Sequence, residues 1–134
     1  MCFGGIPEIS FLAHFLSLEK TRRDYFDFEI QEEGTEQQVL LAPLLFIPFV
    51  ENAIKHNIQS IKGAYVKLRF RFSGGVLLFE CSNPKPKGPL NQTTAGGLGL
   101  PNVRRRLELL YPERHHLMIT DQADQYHICL TLNL

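Results

Sequence analysis

Tryptophan is missing from these 134 residues, and so is net charge: 14 basic side chains balance 14 acidic ones. With no bulk field of either sign, nothing draws the whole chain toward nucleic acid or an anionic membrane, so an anion site has to be built locally. Cysteine is scarce. Cys2, Cys81 and Cys129 are odd in number, far apart and never in a C-x-x-C arrangement. That argues against a disulfide framework and a cysteine zinc site, and makes a reducing cytoplasm the default. Long apolar runs are lacking too. LLAPLLFIPFV (40–50) is too short and too proline-broken to cross a bilayer, and the N-terminus has neither the basic region nor the long apolar core of a signal peptide. His115, His116 and His127 show no metal-ligand spacing, and no serine or cysteine has a visible base partner for covalent catalysis.

What remains is 44% hydrophobic and 21% charged, an ordinary globular composition with enough chain to bury a sizeable core. No repeat or linker divides it, so residues 1–134 read as one domain. ISFLAHFLSLEKTRRDY (9–25) places Phe11, Leu12, Phe15, Leu18 and Arg22 at helical spacing, which predicts an amphipathic helix. FDFEI (26–30) alternates Phe26, Phe28 and Ile30 against Asp27 and Glu29, the period of a half-buried strand. After a polar turn around Gly34, residues 43–58 predict a second helix. Pro43 suits its opening, and Pro48 makes its first turn irregular.

AYVKLRFRF (64–72) sets Val66, Leu68, Phe70 and Phe72 against Lys67, Arg69 and Arg71. The SGG that follows signals a hairpin into VLLFECS (76–82), a strand apolar enough to be central. NPKPKGPLNQTTAGG (83–97) is a loop, and long for a compact domain unless it has a job. PNVRRRLELLY (101–111) predicts a third helix with Val103, Leu107 and Leu110 as its stripe. The tail divides at DQAD (121–124) into two strands, the second alternating Tyr126, Ile128, Leu130, Leu132 and Leu134. Together these elements predict a two-layer α/β (α+β) sandwich whose mixed, largely antiparallel sheet carries helices on one face.

Two stretches could carry chemistry. In VENAIKHN (50–57), helical projection puts Phe46, Val50, Ala53 and Ile54 on one face. It stacks Asn52 with His56, and Glu51 with Lys55, on others. Glu51 and Lys55 have the order of an exposed helical ion pair. Asn52 is either a satisfied structural amide or a neutral oxygen ligand for Mg²⁺. In GGLGLPNVRRRL (96–107), Gly96, Gly97 and Gly99 allow a tight turn, and the amides of Gly99 and Leu100 would point out of the next helix. That is either a cap or a phosphate cradle. At most one or two of Arg104, Arg105 and Arg106 could reach a ligand from there.

PLLFIPFVENAIKHN, the long polar loop and GGLGLPNVRRRLELLYP together resemble the ATP-binding domain of sensor histidine kinases, in the autolysis-regulating (LytS-like) branch. FLSLEKTRRDYFDFEI resembles the helix and strand that join that branch's phosphoacceptor region to its catalytic domain. The resemblance implies a Bergerat ATP-binding fold with Mg²⁺ and ATP as cofactors. Asn52 would take the metal position, with Lys55 and His56 near the phosphates. Gly97, Leu98, Gly99 and Leu100 would end a lid formed by 84–96, and Asn102 would follow it. Asn83 is the nearest match to the family's adenine-binding aspartate; an amide oxygen still accepts from an adenine N–H, without charge assistance.

The same resemblance implies partners: a phosphoacceptor histidine region N-terminal to residue 1, a response regulator reached indirectly, and a second copy in the full-length protein. It places the domain in the cytoplasm, its parent anchored in the bacterial inner membrane through a sensor segment absent here. His14 lies in the stretch resembling the helix after the acceptor site, with no acid adjacent, and so is a poor acceptor. Two other readings stay open: a nucleotide-sensing module without turnover, and an RNA-binding sheet using Lys67, Arg69 and Arg71.

Overall fold

The computed structural model describes residues 7–22, 26–34, 45–57, 64–84, 99–122 and 124–134. Its elements run α1 (Pro7–Arg22), β1 (Phe26–Glu33), α2 (Ile47–Asn57), β2 (Ala64–Ser73), β3 (Val76–Pro84), α3 (Gly99–Leu110), β4 (His115–Asp121) and β5 (Gln125–Asn133). The five strands form one sheet in the order β1-β2-β3-β5-β4. Among the described residues only β1 and β2 pair in parallel; the other three ladders are antiparallel. The expected two-layer, mixed and largely antiparallel architecture is therefore the observed one.

Strand alternation decides which face the helices cover. Val66, Leu68, Phe70 and Phe72 of β2, Leu77, Phe79 and Cys81 of β3, and Ile128, Leu130 and Leu132 of β5 are all buried. They form one core with Leu12 and Leu16 of α1, Phe49 and Val50 of α2, and Val103 and Leu107 of α3. Phe46, just before α2, meets Phe70 edge-on at 5.2 Å between ring centroids and Phe79 at 4.7 Å. Aromatic pairs of this geometry add about 0.5–1.5 kcal/mol each beyond area burial.

The opposite face carries ions. Glu33 pairs with Arg69 at 3.3 Å and Arg71 at 3.1 Å, Arg69 reaches Glu80 at 3.8 Å, and Glu80 reaches His127 at 3.4 Å. Arg69 and Arg71 are thus engaged with carboxylates, and Phe70 and Phe72 lie in the core. Tyr65 is the one exposed ring among the described residues of the strand, short of the row of rings that stacking on RNA requires.

Two turns use glycine for its conformational freedom. Gly74 and Gly75, with φ of 56° and 80°, make the two-residue turn of the β2–β3 hairpin. Gly34 has φ 97°, and a Cβ there would collide with the Phe72 carbonyl.

Several boundaries differ from the sequence expectation. Helix α1 begins at Pro7 and buries Ile9, Leu12 and Leu16, whereas Phe11 (49% exposed) and Leu18 (64%) face solvent. Apolar residues surround most of this helix, so spacing alone does not select the inward stripe. Helix α2 begins at Ile47, four residues after Pro43. Strand β3 continues through Asn83 and Pro84 because both pair with β5. Leu110, expected on the inner stripe of α3, is 44% exposed in the last turn of that helix.

Candidate functional site

Two polar residues are buried among the apolar ones: Asn52 at 4% exposure and Asn83 at 0%. Asn52 is buried on α2 next to Ala53 and Ile54, and this helix packs against β2, β3 and α3. Asn83 points into the same layer because it follows Phe79 and Cys81 at strand period two. Its Nδ2 donates to its neighbour's carbonyl, Pro84 O, at 2.9 Å, which leaves Oδ1 as the free end of the amide. Among the described residues, Asn83 Oδ1 and both polar atoms of Asn52 have no hydrogen-bond partner. A buried polar atom left this way costs about 1–3 kcal/mol.

Strand register brings further groups to this end of the sheet. Asn83 pairs with Tyr126 of β5, and Tyr126 pairs with Asp121 of β4. The Tyr126 hydroxyl stands beside the Asn52 amide, near enough for the amide to favour its ionised form but outside hydrogen-bond geometry. Burial pushes the Tyr126 phenol up, Asp121 adds to that rise, and Asn52 and Arg104 oppose it. Arg104 of α3 is therefore within electrostatic reach of the same phenol. Below it, burial pushes the Cys81 thiol up to about 12, so this cysteine is a small apolar filler and not a nucleophile.

Helix α3 starts at Gly99. Its first free amides belong to Gly99 and Leu100, Pro101 having none to give. Leu100 packs partly against the core and Asn102 is exposed. Lys55 and His56 lie in the last turn of α2 as backbone only, their side chains outside the described residues, as are Gly97, Leu98 and the loop beyond Pro84. The structure thus brings Asn52, Asn83 and Tyr126 toward one end of the layer interface, with Arg104 of α3 within electrostatic reach. Tyr126 and Asp121 are the members that sequence reasoning missed. In the sequence Tyr126 was one more alternating strand residue, and only the register reveals that it faces two amides.

Charge in this group is sparse, and among the described residues no cluster of three His, Cys, Asp or Glu could hold a metal ion. A lone amide suits Mg²⁺, which keeps most of its waters and takes few protein ligands when phosphates supply the rest.

No protein-family model matches the chain. The sensor histidine kinase YesM of Bacillus subtilis (strain 168) is 22% identical over 123 residues, covering 88% of this chain and 21% of that protein. The chain therefore spans about a fifth of the length of this curated relative. Among solved structures, the catalytic domain of histidine kinase ThkA matches with a TM-score of 0.66 at 18% identity, over 96% of this chain and 92% of that one. The mycobacterial sensor histidine kinase MprB matches at 0.65 and 18%, over 95% and 94%. ThkA in complex with the response regulator protein TrrA matches at 0.67 and 17%, over 96% of this chain and 40% of that one. The fold is that of histidine kinase catalytic domains.

Proposed function

We propose that this chain is the ATP-binding part of a sensor histidine kinase, of the LytS-like branch, and that it presents the γ-phosphoryl group of Mg²⁺-ATP to a histidine outside these residues. The observation that carries the reading is a pair of buried amides: among the described residues, neither polar atom of Asn52 nor Asn83 Oδ1 has a hydrogen-bond partner. Asn52 would hold Mg²⁺ through its amide oxygen, and Asn83 Oδ1 would accept from the adenine amino group. Gly97, Leu98, Gly99, Leu100 and Asn102 would line the phosphates, with Lys55 and His56 beside them. The metal, when bound, neutralises charge that develops on the phosphates.

The residues favour transfer over hydrolysis. One helical turn before Asn52 stands Pro48, and Glu51 is exposed on the outer side of α2. No carboxylate at either position is placed to activate water, so a histidine from elsewhere is the natural acceptor. No described helix is long and apolar enough to cross a membrane; the reading puts this domain in the cytoplasm and any anchor in another part of the protein. Its partners would be the acceptor helix of its own or a second copy and, through that histidine, a response regulator. ThkA, with the same fold, has been solved with one.

Calorimetric titration with a non-hydrolysable ATP analogue, with and without Mg²⁺, tests the proposal. Binding that tightens with Mg²⁺, and loses that gain in Asn52→Ala, is the expected result; no binding at millimolar nucleotide overturns it. The neutral Asn83, where these kinases carry aspartate, favours one variation, a nucleotide sensor without turnover. Adding a separate acceptor fragment and looking for phosphohistidine divides the two.

A further inference from the structure

Helix α2 starts without a cap of its own. Its first intrahelical bonds run from the Phe49 and Val50 amides to Phe46 O, at 3.1 and 3.3 Å. Phe46 is therefore the N-cap residue, and its side chain has no oxygen to offer. The next residues offer none either: Ile47 and Pro48 are apolar, and the first turn contains no acid. A helix entering the core this way would bury unsatisfied amides.

The missing oxygens come from α1. Glu8 Oε2 accepts from the Phe46 amide at 2.8 Å and Oε1 from the Leu45 amide at 3.2 Å, across 38 and 37 residues of chain. The Ile47 amide also faces this carboxylate, and Arg106 of α3 lies within its electrostatic reach. Glu8 is half-buried, and among its surroundings burial weighs most, raising its proton affinity, while the three amides and Arg106 act against it.

We infer that Glu8 is a positioning residue for Asn52: its carboxylate fixes where α2 begins, and so where the amide six residues beyond Phe46 stands. At 1.5 Å per residue that is roughly 9 Å along a single rigid rod. Because Glu8 belongs to α1, any displacement of α1 reaches Asn52 through this contact. The inference rests on the proposed Mg²⁺ role of Asn52, but its mechanical half stands apart from that role.

The test is Glu8→Gln, which keeps the volume and turns one acceptor into an N–H facing an N–H. Two measurements are made on the same protein, below its melting temperature. In amide hydrogen exchange, residues 49–54 should exchange at least about 10-fold faster while Leu77 and Leu130 in the sheet keep their protection. In ADP titrations, the gain in affinity due to Mg²⁺ should fall by about 10-fold, as for other groups that orient a metal ligand, with Mg²⁺-free affinity unchanged. A lower melting temperature with an unchanged Mg²⁺ gain, or with exchange raised equally everywhere, overturns the inference and leaves Glu8 a structural cap. If the wild type binds no nucleotide, the ATP reading fails. The exchange comparison then decides alone: unchanged protection along α2 sinks the coupling.

Discussion

Phe79 and Asn83 sit four residues apart on β3, face the same layer, and are both 0% exposed. Around Phe79, the rings of Phe46, Phe49 and Phe70 lie within 4.7–5.6 Å. Around Asn83, the register brings a tyrosine, and the amide keeps an oxygen with nothing to accept. Burial is equal at the two ends, but satisfaction is not. One end of the interface holds the fold, and the other carries a free-energy debt that a ligand can relieve.

The comparison breaks most sharply at the apolar end. Phe79→Ala should lower unfolding free energy by about 3–5 kcal/mol in urea titrations, because three rings lose their common partner. The same loss from a substitution at the polar end would mean that the amides are structural after all. Next in size, Asn52→Leu should leave the protein as stable or about 1–2 kcal/mol more stable, since it deletes two buried polar atoms without partners. It should also abolish the Mg²⁺-dependent part of nucleotide binding. A large drop in melting temperature would show that Asn52 is satisfied in solution.

Between the two ends lies Cys81, with its thiol pushed up to about 12. Mass spectrometry after iodoacetamide at pH 8 should find Cys81 unmodified in the native protein, with the half-buried Cys129 reacting before it; Phe79→Ala should open Cys81 to the reagent. The smallest effect belongs to the open face. The Arg71 and Arg69 guanidiniums hold the Glu33 carboxyl below its ordinary value of 4.5. A lowered folded value means stability that is present above 4.5 and lost as pH falls through the folded value. Glu33→Gln should flatten the acid limb of the stability profile slightly and change nothing at pH 7, since exposed ion pairs contribute little.

The fold was legible wherever one element's pattern sufficed. β2, with Val66, Leu68, Phe70 and Phe72 inward, is the clearest case, and the inward stripe of Val50, Ala53 and Ile54 on α2, with Phe46 just before it, was another. Legibility failed where the deciding partner was distant. The inner face of α1 depends on what it packs against, and the cap of α2 comes from Glu8, 38 residues earlier. The site was half legible for the same reason. Asn52 stood out as a polar residue in apolar company; Asn83, expected in the loop, was named only through the family resemblance, and Tyr126 and Asp121 join them only through strand register.

The single parallel ladder has a consequence in time. β2 and β3 are joined by two glycines and pair locally, as β4 and β5 do, and such hairpins form in about 1–10 μs. β1 reaches β2 only after the chain has passed through α2 and returned, with Phe26 opposite Ala64. Its pairing is the costlier loop to close, so β1 and the α1 that precedes it are expected to dock last when the chain folds and to leave first when it opens. The segment through which Glu8 touches the Asn52 helix is therefore also the one that the rest of the domain holds least early.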